Sequence, residues 1–250
     1  MTKASRKNEI LELINLNNEI TLNALATTLD VSEMTVRRYL KELEKDEVVI
    51  RTTNGFLLLD SLSSELPFLK KQMVNIESKR EIAEKAVKFI KPGETILLDA
   101  GTTTLELCKL LKNQTYKVTV ITNDIKAANE LVDSEHKVII TGGVLQNDVG
   151  SIYGIPTMHF LRDIRVEKAF IATQAASVEK GIFAPTLEKC EIKELMLEAG
   201  NETFLLVDES KFNQTSFAKI ANLSAFDYII LNDDADLALK EKLSQITTVL

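Results

Sequence analysis

Long apolar runs are missing from this 250-residue sequence, and a membrane-spanning helix would need about 20 such residues. The chain begins with MTKASRKNEI, where basic side chains are not followed by an apolar segment, so we predict no signal peptide. The 45% hydrophobic and 27% charged content is that of an ordinary globular protein. We therefore expect a cytoplasmic protein without a membrane partner.

Cysteine and histidine are equally scarce, with two residues of each. Cys108 and Cys190 fall in helical patterns far apart in the sequence, which favours two buried free thiols over a disulfide. His136 and His159 are isolated and have no ligand spacing around them. The sequence therefore predicts no zinc site, and we expect neither a metal nor another cofactor.

The first sixty residues contain three helical patterns followed by two β-prone runs. Thr21 is placed to cap the second helix and Ser32 the third, which reads SEMTVRRYLKELEKD. The β-prone runs flank Asn54-Gly55, a dipeptide typical of two-residue hairpin turns. Three helices with a tight turn before the third, then a hairpin, is the order of a winged helix-turn-helix.

The third helix has two chemically different sides. Val36, Leu40 and Leu43 share one side, which we expect to pack on the first two helices. Basic side chains on the other side can meet phosphates, and arginine can also bind a guanine edge. A charged helix face can simply be solvated, but helices, turn and hairpin together favour DNA binding. The side chains expected to face DNA are Met34, Thr35, Arg37, Arg38 and Lys41.

The charge balance limits how this segment can bind DNA. The whole chain carries −7, and residues 1–60 contain eight Lys or Arg against ten Asp or Glu. A broadly basic nucleic-acid-binding coat is therefore excluded, and non-specific affinity should be weak. We expect a homo-oligomer whose subunits read paired half-sites of a double-stranded operator.

Beyond residue 76, short apolar runs alternate with helical segments. Continuous apolar strands separated by helices predict a mostly parallel sheet covered on both faces, hence an α/β domain. The runs end just before Asp99, Thr122, Thr141, Thr173, Asp208 and Asn232. We predict a winged helix-turn-helix domain over 1–59, a linker over 60–75 and a larger α/β domain over 76–250.

Ligands bind at the carboxyl ends of the strands in such sheets. One of these ends reads Asp99-Ala100-Gly101-Thr102-Thr103-Thr104 and leads into a helix. Glycine allows close approach, and threonine hydroxyls add to the N–H groups of the helix, so the loop can hold an anion. It lacks the Gly-Lys-Ser/Thr of a Walker loop and the three glycines of a dinucleotide fingerprint. A plain strand-to-helix connection is the alternative. Lys211 follows a separate strand and can supply the positive charge that a phosphate attracts, and its alternative is an ordinary surface lysine.

VSEMTVRRYLKELEKDEVVIR closely resembles the DNA-binding segment of DeoR/GlpR-type bacterial transcriptional regulators. Tyr39 stands where that family usually has Asp, and Thr53-Asn54-Gly55 where it commonly has His-Gly-Gly. We also expect DNA contacts from Ser32 and, in the wing, from Arg51 and Asn54. The matching residues are Val31, Ser32, Thr35, Val36, Arg37, Arg38, Leu40, Leu43 and Glu44.

The resemblance continues through DAGTTTLELCKLL, VITND, ITGG, VEKAFIAT, EKCEIKELML and LLVDESKF. The family's C-terminal domain is similar in fold to ribose-5-phosphate isomerase and glucosamine-6-phosphate deaminase, and in most members it senses a phosphorylated sugar. Thr173-Gln174-Ala175-Ala176 departs from the family's Gly-x-[DN]-Gly. The resemblance implies a phosphate cradle at Gly101, Thr102, Thr103 and Thr104, neutralisation by Lys211, and a pocket lined by Asp99, Asn123 and Gly143.

These features predict a transcriptional regulator that represses genes of sugar uptake or catabolism and is released by a phosphorylated sugar. The alternative is a sugar-phosphate isomerase or deaminase fused to a DNA-binding domain, which would need a carboxylate as general base. The stretch 173–178 has no acid, although Asp99, Asp124 and Asp148 remain as candidates. A constitutive DNA-binding protein is a third possibility, but it leaves the anion-binding loop unexplained.

Overall fold

The computed structural model describes residues 3–17, 20–45, 48–51, 55–58, 68–147 and 149–250. The chain divides into two compact units, Met1–Leu66 and Pro67–Leu250. The first unit contains helices α1 (Lys3–Asn17), α2 (Leu22–Thr28) and α3 (Glu33–Lys45), followed by strands β1 (Val49–Arg51) and β2 (Phe56–Leu58).

The predicted helix caps are confirmed. Thr21 Oγ1 accepts a hydrogen bond from Ala24 N at 3.1 Å, and Ser32 Oγ accepts one from Thr35 N at 3.3 Å. Each hydroxyl satisfies an N–H group of a first helical turn that has no partner within its helix. Between the two helices, Asp30 adopts a left-handed conformation with φ of 50°, which makes the connection tight. The three helices and the antiparallel β1–β2 pair confirm the winged helix-turn-helix.

The hairpin differs from the predicted two-residue turn. Arg51 pairs with Phe56, so the connection spans residues 52–55, and Asn54 lies outside the described residues. Gly55 is required by a close contact, since a Cβ there would lie 2.2 Å from the carbonyl oxygen of Ile20 at a φ of 157°. Backbone bonds of 3.0 and 2.8 Å between Ile20 and Phe56 hold β2 against the segment before α2.

We expect the Gly55→Ala substitution to weaken operator binding by destabilising the wing. The new methyl group would overlap a backbone atom that cannot move without breaking the Ile20–Phe56 bonds, and the backbone strain alone costs about 1–3 kcal/mol. Gly93→Ala is the matched control, because Gly93 also has a positive φ, of 82°, but has no atom within 4 Å of the added Cβ. Equal operator affinities of the two variants in a DNA titration would contradict this account.

The second unit is built around a seven-stranded sheet in the order β14-β13-β11-β8-β3-β4-β5, with all neighbours parallel. Its helices are α4 (Phe68–Met73), α5 (Ile76–Val87), α6 (Thr102–Lys112), α7 (Ile125–Glu130), α8 (Ile155–Arg162), α9 (Leu187–Ala199) and α10 (Leu237–Ser244). The sheet strands are β3 (Thr95–Leu98), β4 (Thr119–Thr122), β5 (Lys137–Ile140), β8 (Val166–Ala172), β11 (Gly200–Leu206), β13 (Tyr228–Ile230) and β14 (Thr248–Val249).

Two small antiparallel sheets accompany the main one. They are formed by β6 (Val144–Leu145) with β7 (Ile152–Tyr153), and by β9 (Ala175–Ser177), β10 (Gly181–Ala184) and β12 (Ala218–Ala221). Short 3₁₀ turns cover Glu209–Lys211 and Leu223–Ala225.

The sheet is covered on both faces, as predicted. Leu98 contributes to a core that includes residues of α5 and α6, whereas its neighbour Leu97 contributes to a core that includes residues of α8 and α9. Successive side chains of a strand point to opposite faces, so both sets must be apolar. All six predicted apolar runs contribute strands, and the predicted parallel α/β domain is confirmed.

Several further predictions concern what the chain contains. Cys108 and Cys190 are buried and free, as predicted. No described helix has the length and apolarity required to cross a membrane. Within the described ranges, no group of three or more His, Cys, Asp or Glu could hold a metal ion. Of the predicted linker, 60–67 lies outside the described residues and α4 occupies 68–73.

Candidate operator interface and effector site

Helix α3 presents the predicted polar face to solvent. Val36, Leu40 and Leu43 are buried in the core of the first unit. Met34 is 79% exposed and Thr35 is half-buried. The other predicted DNA-binding residues of this region, Ser32, Arg37, Arg38 and Lys41, are exposed, as is Arg51 on β1.

Two contacts organise the face of α3. The guanidinium of Arg38 lies 5.3 Å from the ring centroid of Tyr39, a cation–π arrangement. Tyr39 is itself half-buried against the core, so its ring is a fixed support for the arginine. The hydroxyls of Ser32 and Thr35 are hydrogen-bonded at 3.0 Å in the first turn. The face thus offers two arginines and a lysine to a phosphate backbone or a base edge.

The loop after β3 has the geometry of an anion site. Helix α6 begins at Thr102, and no side chain caps its N-terminus, so the N–H groups of its first turn remain available to a ligand. Thr104 is buried and donates its hydroxyl to Gly101 O at 2.9 Å. Thr103 is also buried, whereas Gly101 and Thr102 are half-buried. Among the three threonines, Thr102 is therefore the one most open to a ligand.

Asp99, Asn123 and Thr141 form a row across three neighbouring strands. Each follows a position that the strand register aligns, since Leu98 pairs with Thr122 and Thr122 with Ile140. In-register residues of parallel strands point to the same face and stand about 4.8 Å apart. The row lies on the face covered by α8 and α9, and its three members are buried.

Asp99 is held by two partners on one carboxylate oxygen. Its Oδ2 accepts a hydrogen bond from Ala172 N at 3.1 Å and another from the ammonium group of Lys193. Lys193 Nζ also donates to Ala172 O at 2.8 Å. This lysine of α9 therefore ties the ends of β3 and β8 together inside the domain.

Asn123 and Gly143 connect the row to the β6–β7 hairpin. Asn123 Oδ1 accepts from Ala100 N at 2.9 Å, and its Nδ2 donates to Ile152 O at 3.1 Å. A Cβ on Gly143 would lie 2.4 Å from the carbonyl oxygen of Tyr153, at a φ of 144°. Asn123 and Gly143 thus shape this edge through backbone contacts.

A second group of polar residues lies on the face covered by α5 and α6. Lys79 of α5 is only 2% exposed and donates to Val74 O at 2.6 Å and to Lys71 O. Burial and, to a smaller extent, the positive charge of Lys211 lower its pKa to about 8. The charge of Asp208 acts in the opposite direction. Lys211, in the turn after β11, is thus close enough to Lys79 to repel it.

Further bonds link these residues to the strand ends. Asn75, in a left-handed conformation with φ of 51°, donates to Asp208 Oδ1 at 3.1 Å and to Ser210 Oγ at 2.8 Å. Lys71 Nζ donates to Gln174 Oε1 in the loop after β8, at 3.3 Å. The segment from α4 to α5 therefore contacts the ends of two strands.

Sequence reasoning missed Lys79 and Lys193 as candidate residues of the site. Both lie on apolar helix faces, Lys79 with Ile82 and Ala83, and Lys193 with Met196. Lysine is almost never fully buried unless its charge is compensated. A lysine at a core position of an amphipathic helix was therefore the signal that could have identified them.

The carboxylates considered as a general base for the enzyme alternative are engaged in other contacts or lie outside the described residues. Asp99 is paired with Lys193, and Asp148 is outside the described residues. Asp124 caps α7 by accepting from Lys126 N at 2.8 Å, and burial raises its pKa to about 6. The geometry offers cationic donors for a phosphate and polar groups for hydroxyls.

Comparisons with known proteins agree with both units. Residues 6–62 match the DeoR-like helix-turn-helix domain, and residues 74–233 match the DeoR C terminal sensor domain. The chain is 32% identical to the uncharacterized HTH-type transcriptional regulator YulB of Bacillus subtilis, over 100% of this chain and 98% of that protein. It is 34% identical to the lactose phosphotransferase system repressor of Lactococcus lactis, over 100% and 99%.

The chain is also similar to a further regulator and to a solved enzyme structure. The HTH-type transcriptional regulator GlpR of Haloferax volcanii is 32% identical over 97% of this chain and 95% of that protein. The ribose 5-phosphate isomerase A structure from Methanocaldococcus jannaschii is 21% identical with a TM-score of 0.42 over 55% of each chain. The curated relatives are named as regulators, which confirms the prediction of a DNA-binding regulator rather than an enzyme. The chain belongs to the DeoR family of helix-turn-helix transcriptional regulators.

Proposed function

We propose that this regulator represses genes of sugar uptake or catabolism and releases its operator when a phosphorylated sugar binds the second unit. One observation carries the phosphate assignment. Lys79 is buried, burial and the charge of Lys211 lower its pKa, and its ammonium group donates hydrogen bonds to the backbone carbonyls of Lys71 and Val74. The charge of Asp208 acts against this lowering but does not abolish it, so a further anion beside Lys79 and Lys211 would be favourable.

The N-terminus of α6 supports the same assignment. Gly101 and Thr102 place unsatisfied N–H groups at the carboxyl edge of the sheet. A phosphate there would meet the partial positive charge of the helix. Two relatives are named a lactose phosphotransferase system repressor and a putative aga operon transcriptional repressor, and these names favour a role in carbohydrate metabolism.

The operator-binding species in this proposal is a homo-oligomer in the cytoplasm that needs no cofactor. The first unit has more acidic than basic residues, so one copy gains little from the phosphate backbone alone. Two copies on paired half-sites double the specific contacts. The effector must bind more tightly to an arrangement that does not fit the operator, because only such a preference can shift the equilibrium.

Calorimetry on the full-length protein tests the effector class. The titrants are pentose and hexose phosphates, the same sugars without phosphate, and inorganic phosphate. We expect a phosphorylated sugar to bind and its unphosphorylated counterpart to bind far more weakly. Equal binding of the two would contradict a phosphate site.

Effector affinity should fall as the pH rises through about 8. The lowered pKa of Lys79 means that its charge is present below pH 8 and lost above it. The phosphate stays dianionic over this range, because its second pKa is about 6. An anion favours the charged lysine, so binding near pH 8 should take up protons, which calorimetry in buffers of different ionisation enthalpy detects.

The stability of the ligand-free protein should show the opposite trend, since its free energy of unfolding should increase as the pH rises above about 8. The pKa of Lys79 is below its unfolded value of 10.5, so the penalty for burying the charge is complete below pH 8. This penalty disappears as the pH rises from about 8 towards 10.5.

Lys79→Met is the control for the proton uptake on effector binding, which it should abolish. An unchanged uptake in that variant would assign it to another group.

A further inference from the structure

The row of Asp99, Asn123 and Thr141 contains polar atoms that the fold leaves unused. Thr141 is 1% exposed, and its hydroxyl is the single buried side-chain N or O atom in the described part of the chain that has no hydrogen-bond partner. Buried polar groups are nearly always paired, so an orphan hydroxyl at a ligand-binding edge indicates a missing partner.

Asp99 provides a second oxygen with free hydrogen-bonding capacity, although this oxygen is not completely shielded from solvent as Thr141 Oγ1 is. The carboxylate is 2% exposed, and the bonds from Ala172 and Lys193 both reach Oδ2, so neither uses Oδ1. A carboxylate oxygen can accept two hydrogen bonds, and sugar hydroxyls are donors of the right kind. The ammonium group of Lys193 forms an ion pair with the buried Asp99 carboxylate and compensates its charge.

Asn123 lies between these two residues, and both polar atoms of its side chain already have hydrogen-bond partners. Its amide oxygen accepts from Ala100 N and its amide nitrogen donates to Ile152 O. Asn123 therefore fixes the loop that leads to α6 and the hairpin over the row. The open hydrogen-bonding capacity lies on either side of it, at Asp99 and Thr141.

The row and Lys79 lie on opposite faces of the same sheet edge. Asp99 and Thr141 stand two positions after Leu97 and Ile139, whose side chains pack on the face of α8 and α9. Lys79 belongs to α5, which covers the other face. A ligand whose phosphate binds near α6, Lys79 and Lys211 would extend its carbon chain across the edge towards the row.

We propose that Asp99 and Thr141 bind hydroxyl groups of the effector's sugar chain, with Lys193 as a positioning residue for Asp99. This inference rests on the proposed function and deepens it. The effector is a phosphate ester of a polyhydroxylated chain, in which Asp99 Oδ1 accepts from one hydroxyl and Thr141 Oγ1 bonds another.

Thr141→Val is the sharpest test, because valine keeps the shape and removes the hydroxyl. The full-length variant is titrated by calorimetry with the tightest pentose or hexose phosphate of the panel and with inorganic phosphate. We expect sugar-phosphate affinity to fall roughly 3- to 10-fold, the loss of one hydrogen bond, and inorganic phosphate affinity to stay unchanged. Thr119→Val, at the opposite end of the sheet, is the matched control and should change neither.

The thermal stability of the ligand-free variant separates a ligand from a buried water. An unpartnered hydroxyl contributes nothing to stability, so the melting temperature of Thr141→Val should be equal or higher. Lys193→Met should weaken sugar-phosphate binding and leave inorganic phosphate binding intact, whereas a purely structural lysine would affect both alike.

Two results would overturn the inference, and they are distinguishable. If the wild type binds sugar phosphates and Thr141→Val binds them equally well, the row does not read hydroxyls and the proposed function stands. If the wild type binds no phosphate at all, the proposed effector class fails and the inference fails with it.

Discussion

Arg38→Ala is expected to reduce operator affinity on the order of 100-fold. Arg38 is exposed on the polar face of α3, and its guanidinium is supported by the ring of Tyr39. One arginine contact to a base edge is worth about 1–3 kcal/mol, and a dimer on paired half-sites loses it twice. Fluorescence anisotropy with labelled operator DNA at a fixed salt concentration measures the loss.

Two further variants identify the cause. Arg38→Lys keeps the charge but loses the planar fork, so affinity should be recovered only if Arg38 contacts phosphate. Arg162→Ala removes a half-exposed arginine from the second unit, where it approaches Glu191 at 3.9 Å, and should leave operator binding unchanged. Arg38→Ala should also bind the effector normally. Wild-type operator affinity in Arg38→Ala would remove this residue from the interface.

Lys211→Ala is expected to produce a repressor that stays bound to its operator at effector concentrations that release the wild type. Removing a charged hydrogen bond to phosphate costs about 1.5–3 kcal/mol, which corresponds to a roughly 10- to 100-fold weaker effector. Operator affinity without effector should be unchanged, because Lys211 belongs to the second unit. Anisotropy of preformed operator complexes, titrated with the effector, measures the shift.

The same variant makes a second prediction about Lys79. The charge of Lys211 lowers the pKa of Lys79, so its removal should move the alkaline loss of effector affinity to higher pH. Lys219→Ala is the matched control, because Lys219 is an exposed lysine of the same unit that donates to Asn222. Normal release of operator by Lys211→Ala would refute its role in binding phosphate.

The DNA-binding unit was largely predictable because its signals are local. Thr21 and Ser32 cap helices within three residues of themselves, and the helical period alone separates Val36, Leu40 and Leu43 from the basic side chains. Gly55 of the wing was singled out from the sequence as part of a two-residue hairpin turn, which is not the reason the structure requires it. Gly55 is needed for its approach to Ile20, a contact that no turn signal describes.

The sheet was predictable as a set of strands and much less so as a site. Apolar runs identify strands buried on both faces, but the strand order is not the chain order. Asp99 therefore meets Lys193, which is 94 positions away, and Asn75 meets Asp208, 133 positions away. The short strands β9 and β10 have all their residues buried and so lack the alternation that would reveal them.

The central claim is that a phosphorylated sugar bound to the second unit releases DNA held by the first. The most direct test is fluorescence anisotropy of labelled DNA from upstream of neighbouring sugar genes, bound by the full-length protein and titrated with a panel of pentose and hexose phosphates. The account predicts specific binding that one sugar phosphate reverses, while its unphosphorylated sugar does not. Specific binding that every phosphate of the panel leaves unchanged would contradict the phosphate assignment, and the absence of specific binding would contradict the operator assignment.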